Sequence, residues 1–170
     1  MDGNDCGEGA VRKRLLGARE PASGVAPGAI NLAEAAFVFY SSEAPDHPIE
    51  YALDSSGGRG GTRWEAAEPD QPQMVELDFD QPQSLSRVVL EVEDTTSERT
   101  QEVRIEYSVD DGETYREVVR QEYNFSPRGS TYEEEDWQVD LRDVTNLRLT
   151  IVPNKRGSGT AKITSLRLYP

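Results

Sequence analysis

Residues 103–123 commit the middle of this chain to a β-hairpin. Val103, Ile105 and Tyr107 alternate with Arg104 and Glu106, the period-two pattern of a strand with one buried face. Ser108-Val-Asp-Asp-Gly112 follows, and Asp-Gly supplies the positive φ angles that a tight turn needs. Tyr115 to Tyr123, carrying Val118 and Val119, opens the returning strand.

Similar short runs surround the hairpin. Ala36 to Tyr40 is apolar throughout, as in a buried strand. Val75, Leu77 and Phe79 alternate with Glu76 and Asp78, and Arg87 to Val92 is β-branched and apolar. Trp137, Val139 and Leu141 alternate with polar residues, as do Leu147, Leu149 and Ile151, and Lys162 to Tyr169 closes the chain. Ile49 to Leu53 reads as a further short strand. Prolines such as Pro45, Pro69, Pro82 and Pro153 fall in the connections, where no ladder bond is lost. The spacing predicts an all-β antiparallel sandwich or barrel.

The length of 170 residues suits one domain. Residues 1–30, rich in Gly, Ala and charge, read as an arm or linker, and 31–170 as the folded domain. The net charge of -14 opposes partners that bind through Lys and Arg, so neither nucleic acid nor anionic lipid is expected as a ligand. No run is apolar enough to insert into a membrane. Cys6 is the only cysteine, so no internal disulfide forms. The N-terminus lacks a signal-peptide pattern, which fits an intracellular chain or a piece of a longer exported protein at a cell surface.

If consecutive strands run antiparallel, alternate connections share an end. With the 108–114 turn at the bottom, 80–86 and 141–146 lie beside it. The connections 94–100, 124–136 and 153–160 then lie together at the top. The bottom turns are short and the top loops long, and long loops on a rigid β scaffold commonly carry function.

Ile105-Glu-Tyr-Ser-Val-Asp-Asp-Gly-Glu-Thr-Tyr115 resembles the Ser-Asp-Gly hairpin of discoidin, or coagulation factor 5/8 type C, domains. Thr62-Arg-Trp64, Val75-Glu-Leu-Asp-Phe79, Leu147-Arg-Leu-Thr-Ile151 and Ile163-Thr-Ser-Leu-Arg-Leu-Tyr169 resemble further segments of that family, in its order. The resemblance implies an eight-stranded galactose-binding-like jelly roll that grips ligands through loops opposite the hairpin. It implies a glycan or protein ligand, in a class that includes carbohydrate-binding modules. The chain departs from the family in three places. Tyr115 replaces the usual Trp, the bridging cysteines are missing, and Ser165 stands where a late Glu is expected. The carbohydrate-binding branch often holds calcium near an early Asp-containing loop. Asp54 and Thr62 match those metal positions, but the stretched glycine-rich loop and the lost carboxylate argue against an ion, and no cofactor is expected.

Residues for catalysis are sparse. His47 is the only histidine, no nucleophile elbow exists, and no His and Cys cluster could hold zinc. Glu133-Glu-Glu-Asp136 reads as a solvated acidic run in a loop. The chain is therefore expected not to be an enzyme. Arg99, Asn124, Arg128, Tyr132, Asn154 and Arg156 in the top loops, with His47 from the 41–73 region whose end is left open, are the candidate ligand contacts. Planar polar groups would meet sugar hydroxyls, and Tyr132 would offer a ring face. Tyr123, Phe125, Trp64 and Trp137 are assigned to the core. A protein-interaction or structural domain of a larger protein is the alternative, favoured if the top end lacks an aromatic platform.

Overall fold

The computed structural model describes residues 25–54 and 56–170, so most of the expected N-terminal arm lies outside the described residues. Eight strands and two single-turn helices follow one another: α1 (Leu32–Ala35), β1 (Ala36–Tyr40), α2 (Glu50–Leu53), β2 (Trp64–Glu65), β3 (Gln73–Glu93), β4 (Arg99–Ser108), β5 (Arg116–Phe125), β6 (Tyr132–Gly157), β7 (Lys162–Ile163) and β8 (Ser165–Tyr169). The fold is all-β and antiparallel, as the periodicity predicts.

Two strands are far longer than their sequence suggests. The runs at 75–79 and 87–92 are halves of the 21-residue β3, and those at 137–141 and 147–151 are halves of the 26-residue β6. One half of β3 pairs with β1 and with Asn146–Ile151 of β6, while the other pairs with β8 and with Tyr132–Gln138. Register shifts between Asp78 and Arg87 mark where the sheet folds over. Inward parity changes there, from Val75, Leu77 and Phe79 to Val88, Leu90 and Val92. The order β1-β3-β6-β4-β5 makes one layer, and β8 beside the far halves of β3 and β6 makes the other. Between them lies a single core containing Leu77, Leu90, Ile105, Leu147, Leu149 and Leu168. A small β2–β7 ribbon places Trp64 opposite Ile163.

Two expectations are corrected. Ile49–Leu53 is not a strand: residues 50–53 form the helical turn α2, which buries Ala52 and Leu53 beside the buried Ile49. Glu133–Asp136 is not a loop but the start of β6. Its side chains alternate in exposure, and Arg87 donates two hydrogen bonds to Asp136 at 2.8 and 2.7 Å. At the other terminus, Ile30 donates its N–H to Leu168 O (2.8 Å) and packs on the core.

The ends of the sandwich follow the predicted parity. At the bottom, Ser108 lies opposite Asn146, and Asp111 N donates to Thr145 Oγ1 (3.0 Å). At the top, Arg99 lies opposite both Phe125 and Gly157, and Asp94 N donates to Thr131 O (2.8 Å). The 66–72 loop joins them, since Asp70 accepts from Ser158 Oγ (2.6 Å) and Gly159 N (2.9 Å).

Candidate functional site

The top end is organised around Asp94. Its Oδ1 accepts from the N–H groups of Thr96 (3.0 Å) and Ser97 (3.1 Å), which closes the turn between β3 and β4. Its Oδ2 accepts from Arg99 Nε (2.7 Å), and Lys162 Nζ stands 3.2 Å from Oδ1. The Asp94 and Arg99 side chains have no exposure at all. Burial pushes the Asp94 carboxyl up, but Arg99, the turn N–H groups and Lys162 outweigh it and hold the group well below the usual carboxylate range.

Arg99 is fixed on every side but one. Nη1 donates to Gln101 Oε1 (2.9 Å) and Pro153 O (2.8 Å), and the guanidinium carbon lies 5.5 Å from the Phe125 ring centre. Nη2 is buried without a hydrogen-bond partner. Leaving such a donor unsatisfied is costly, so this atom is the most conspicuous unused group of the top end.

Arg99 also lines a cleft of about 440 Å³, together with Glu98, Thr100, Asn124, Phe125, Ser126, Arg156 and Gly157. That volume is in the range of small-ligand sites, about 300–1,000 Å³. Thr100 Oγ1 donates to Asn124 Oδ1 (2.7 Å), which engages the amide oxygen and leaves the NH2 group to donate. Arg156 is exposed and has no carboxylate partner among the described residues. Gly157 has φ +70°, and a Cβ there would collide with the Glu98 carbonyl, so the cleft wall requires glycine.

Of the predicted ligand contacts, Arg99, Asn124 and Arg156 meet in this cleft and the others lie outside its lining. Arg128 is exposed in the 126–130 turn, and Asn154 is half-buried on β6. Tyr132 lies beneath Arg59, whose guanidinium carbon is 4.8 Å from its ring centre. Burial, then Glu91 and Glu134, push the Tyr132 phenol up. His47 Nε2 is 3.7 Å from Glu65 Oε2. From Glu65, a chain of alternating charges runs through Lys162 (3.9 Å) and Asp94 to Arg99. Sequence reasoning missed Asp94, Lys162 and Glu65. Only Asp94 carried a local signal, in its Asp-Thr-Thr-Ser turn. Tyr123 and Phe125 are 2% exposed, as expected of core residues, so no exposed ring lines the cleft.

The matched metal positions Asp54 and Thr62 come together through Ser56, whose hydroxyl bonds to both side chains. The glycine-rich loop between them rests on β3. Gly58 N donates to Glu91 Oε2 (2.5 Å) and Gly60 N to Glu93 Oε2 (2.8 Å). Among the described residues, no three His, Cys, Asp or Glu side chains gather to hold a metal.

A two-layer antiparallel sandwich with a loop-built cleft at one end defines a β-sandwich domain. Residues 38–134 match the F5/8 type C domain, and the chain belongs to that family. Solved structures share its fold. The chitosan-binding module 1 from a chitosanase/glucanase of Paenibacillus sp. IK-5 is 18% identical over 78% of this chain and 93% of its own, with a TM-score of 0.55. A family 32 carbohydrate-binding module of Clostridium perfringens, solved with galactose, is 14% identical over 78% and 92%, with a TM-score of 0.55. A third, from a family 31 glycoside hydrolase of Clostridium perfringens, is 19% identical over 77% and 87%, with a TM-score of 0.54. No curated protein sequence matches.

Proposed function

We propose that this domain, spanning residues 31–170, is a non-catalytic glycan-binding module whose ligand sits in the cleft between 98–100, 124–126 and 156–157. One observation carries the reading: Asn124, with its NH2 group left to donate, and the exposed Arg156 meet there, on a wall held rigid by the fully buried Arg99. An amide NH2 and a guanidinium suit neighbouring hydroxyl oxygens, and a rigid wall loses little freedom on binding. The Glu98 carboxylate supplies an acceptor for sugar O–H groups on the same wall. The fold relatives named above, which carry chitosan and galactose in their descriptions, support the ligand class.

One observation favours a second reading. Sugar sites commonly use an exposed ring, and the rings at this end are buried or covered by Arg59. A protein ligand needs no such platform. A glycan array followed by calorimetry separates the two. Binding that falls with Arg156→Ala supports the glycan reading. Silence across neutral, amino and acidic glycans overturns it in favour of a protein partner.

A further inference from the structure

The family resemblance implies calcium at the 54–62 loop, and the residues here do not fit it. Calcium is held by six to eight oxygens, mostly carboxylates and carbonyls turned toward one point. This loop turns donors the other way: the N–H groups of Gly58 and Gly60 point at the Glu91 and Glu93 carboxylates. Glu91, with a side chain 3% exposed, also receives a hydrogen bond from the Arg167 guanidinium, so a positive charge already occupies its surroundings. Across the β3–β8 ladder, Glu91 stands directly opposite Ser165, the position that lacks the family's late carboxylate. Ser165 Oγ is buried and has no partner. A Cβ on Gly57 would come within 2.5 Å of Glu91 Oε2, so the carboxylate lies against bare backbone.

We propose that Arg167 is the resident cation of this site. The Glu91–Arg167 pair, not a divalent ion, clamps the 57–61 loop onto β3 and makes the loop independent of calcium. The carboxylate is supplied by β3 instead of β8, and its charge is balanced by a guanidinium two residues beyond Ser165. The clamp stands whether or not the cleft takes a glycan.

Thermal unfolding of the whole chain, with calcium chloride, magnesium chloride or chelator added, tests this. The wild-type Tm is expected to be the same with chelator and with millimolar calcium. Arg167→Gln, which leaves Glu91 without its cation, is expected to lower Tm by roughly 5 °C. A rise in wild-type Tm with calcium that magnesium does not reproduce overturns the proposal, as does an unchanged Tm in Arg167→Gln. Should that variant not fold, hydrogen exchange on the wild type serves instead. Gly58 and Gly60 amides protected in chelator support the clamp, and amides that become protected only with calcium overturn it.

Discussion

Asp94 and Arg99, five residues apart at the mouth of the sandwich, are joined by a 2.7 Å Nε–Oδ2 hydrogen bond with neither side chain exposed. The pair fixes the turn between β3 and β4 and orients one wall of the cleft. Removing one member of a buried pair leaves the other charge stranded, which costs more than the pair itself contributes. Asp94→Ala is expected to lose about 3–5 kcal/mol in chemical denaturation.

The same carboxylate gives a pH signature. In the unfolded chain Asp94 takes up a proton near its ordinary 3.8, whereas in the fold it stays charged well below that. The unfolded chain then binds more protons, so the contribution is complete above 3.8 and drains away as pH falls further. Asp110, held at about 2 by Ser108 and then Thr114, adds to the trend in the same direction. Asp94→Asn is expected to flatten the fall in stability below about pH 4, measured by urea unfolding across a pH series.

Tyr115 marks the alkaline side. Its hydroxyl donates to Glu76 Oε1 (2.7 Å), and Arg148 lies 3.5 Å from its ring centre. Burial, then the neighbouring Glu76, push the phenol up from 10.0 to about 12. Its stabilisation is present below pH 10.0 and lost as pH rises toward 12. Tyr115→Phe is expected to cost about 1 kcal/mol at neutral pH, and to remove one late-titrating phenol from the ultraviolet titration.

Leu147 tests the core between the layers. It is fully buried and lies opposite Leu77 and Tyr107 on the two flanking strands. Leu147→Ala is expected to cost about 2–5 kcal/mol, with the spread set by how far the neighbours collapse.

Arg156 tests the cleft without touching the core. With no carboxylate partner and an exposed side chain, Arg156→Ala is expected to leave stability within about 0.5 kcal/mol. On the glycan found by the array, affinity is expected to fall roughly tenfold or more, the scale of a lost charged hydrogen bond. Arg128→Ala, outside the cleft lining, is the matching control and is expected to bind like the wild type.

Much of the fold was legible because its strands alternate strictly and its hairpin carries Asp-Gly. The bend was not. Pro82 and its polar neighbours look like a turn between two strands, but Pro82 lies inside β3, between the Asp78 and Gln83 pairs, where the ladder is already interrupted. Ile49, Tyr51 and Leu53 alternate like a strand, yet a five-residue run also fits one helical turn, and packing of Ile49, Ala52 and Leu53 decided it. At the site, the loop cluster followed from parity alone. The role of Arg99 did not, since Lys162 joins its partner Asp94, and Pro153 accepts from it, only through the fold.

β3 and β6 each begin and end at the ligand end and turn back at the opposite one, in the 80–86 and 139–145 segments. Each strand is therefore a two-armed caliper, with one arm in each layer. The loops at 94–98 and 158–161 continue arms from opposite layers and close on each other, since a Cβ on Gly159 would fall 3.3 Å from Ser97 Oγ. Leu85 and Val144 are buried at the fold-over, where both layers turn on the same two strands. A substitution at that base is therefore felt in both layers at once, because neither layer owns the strands that build it.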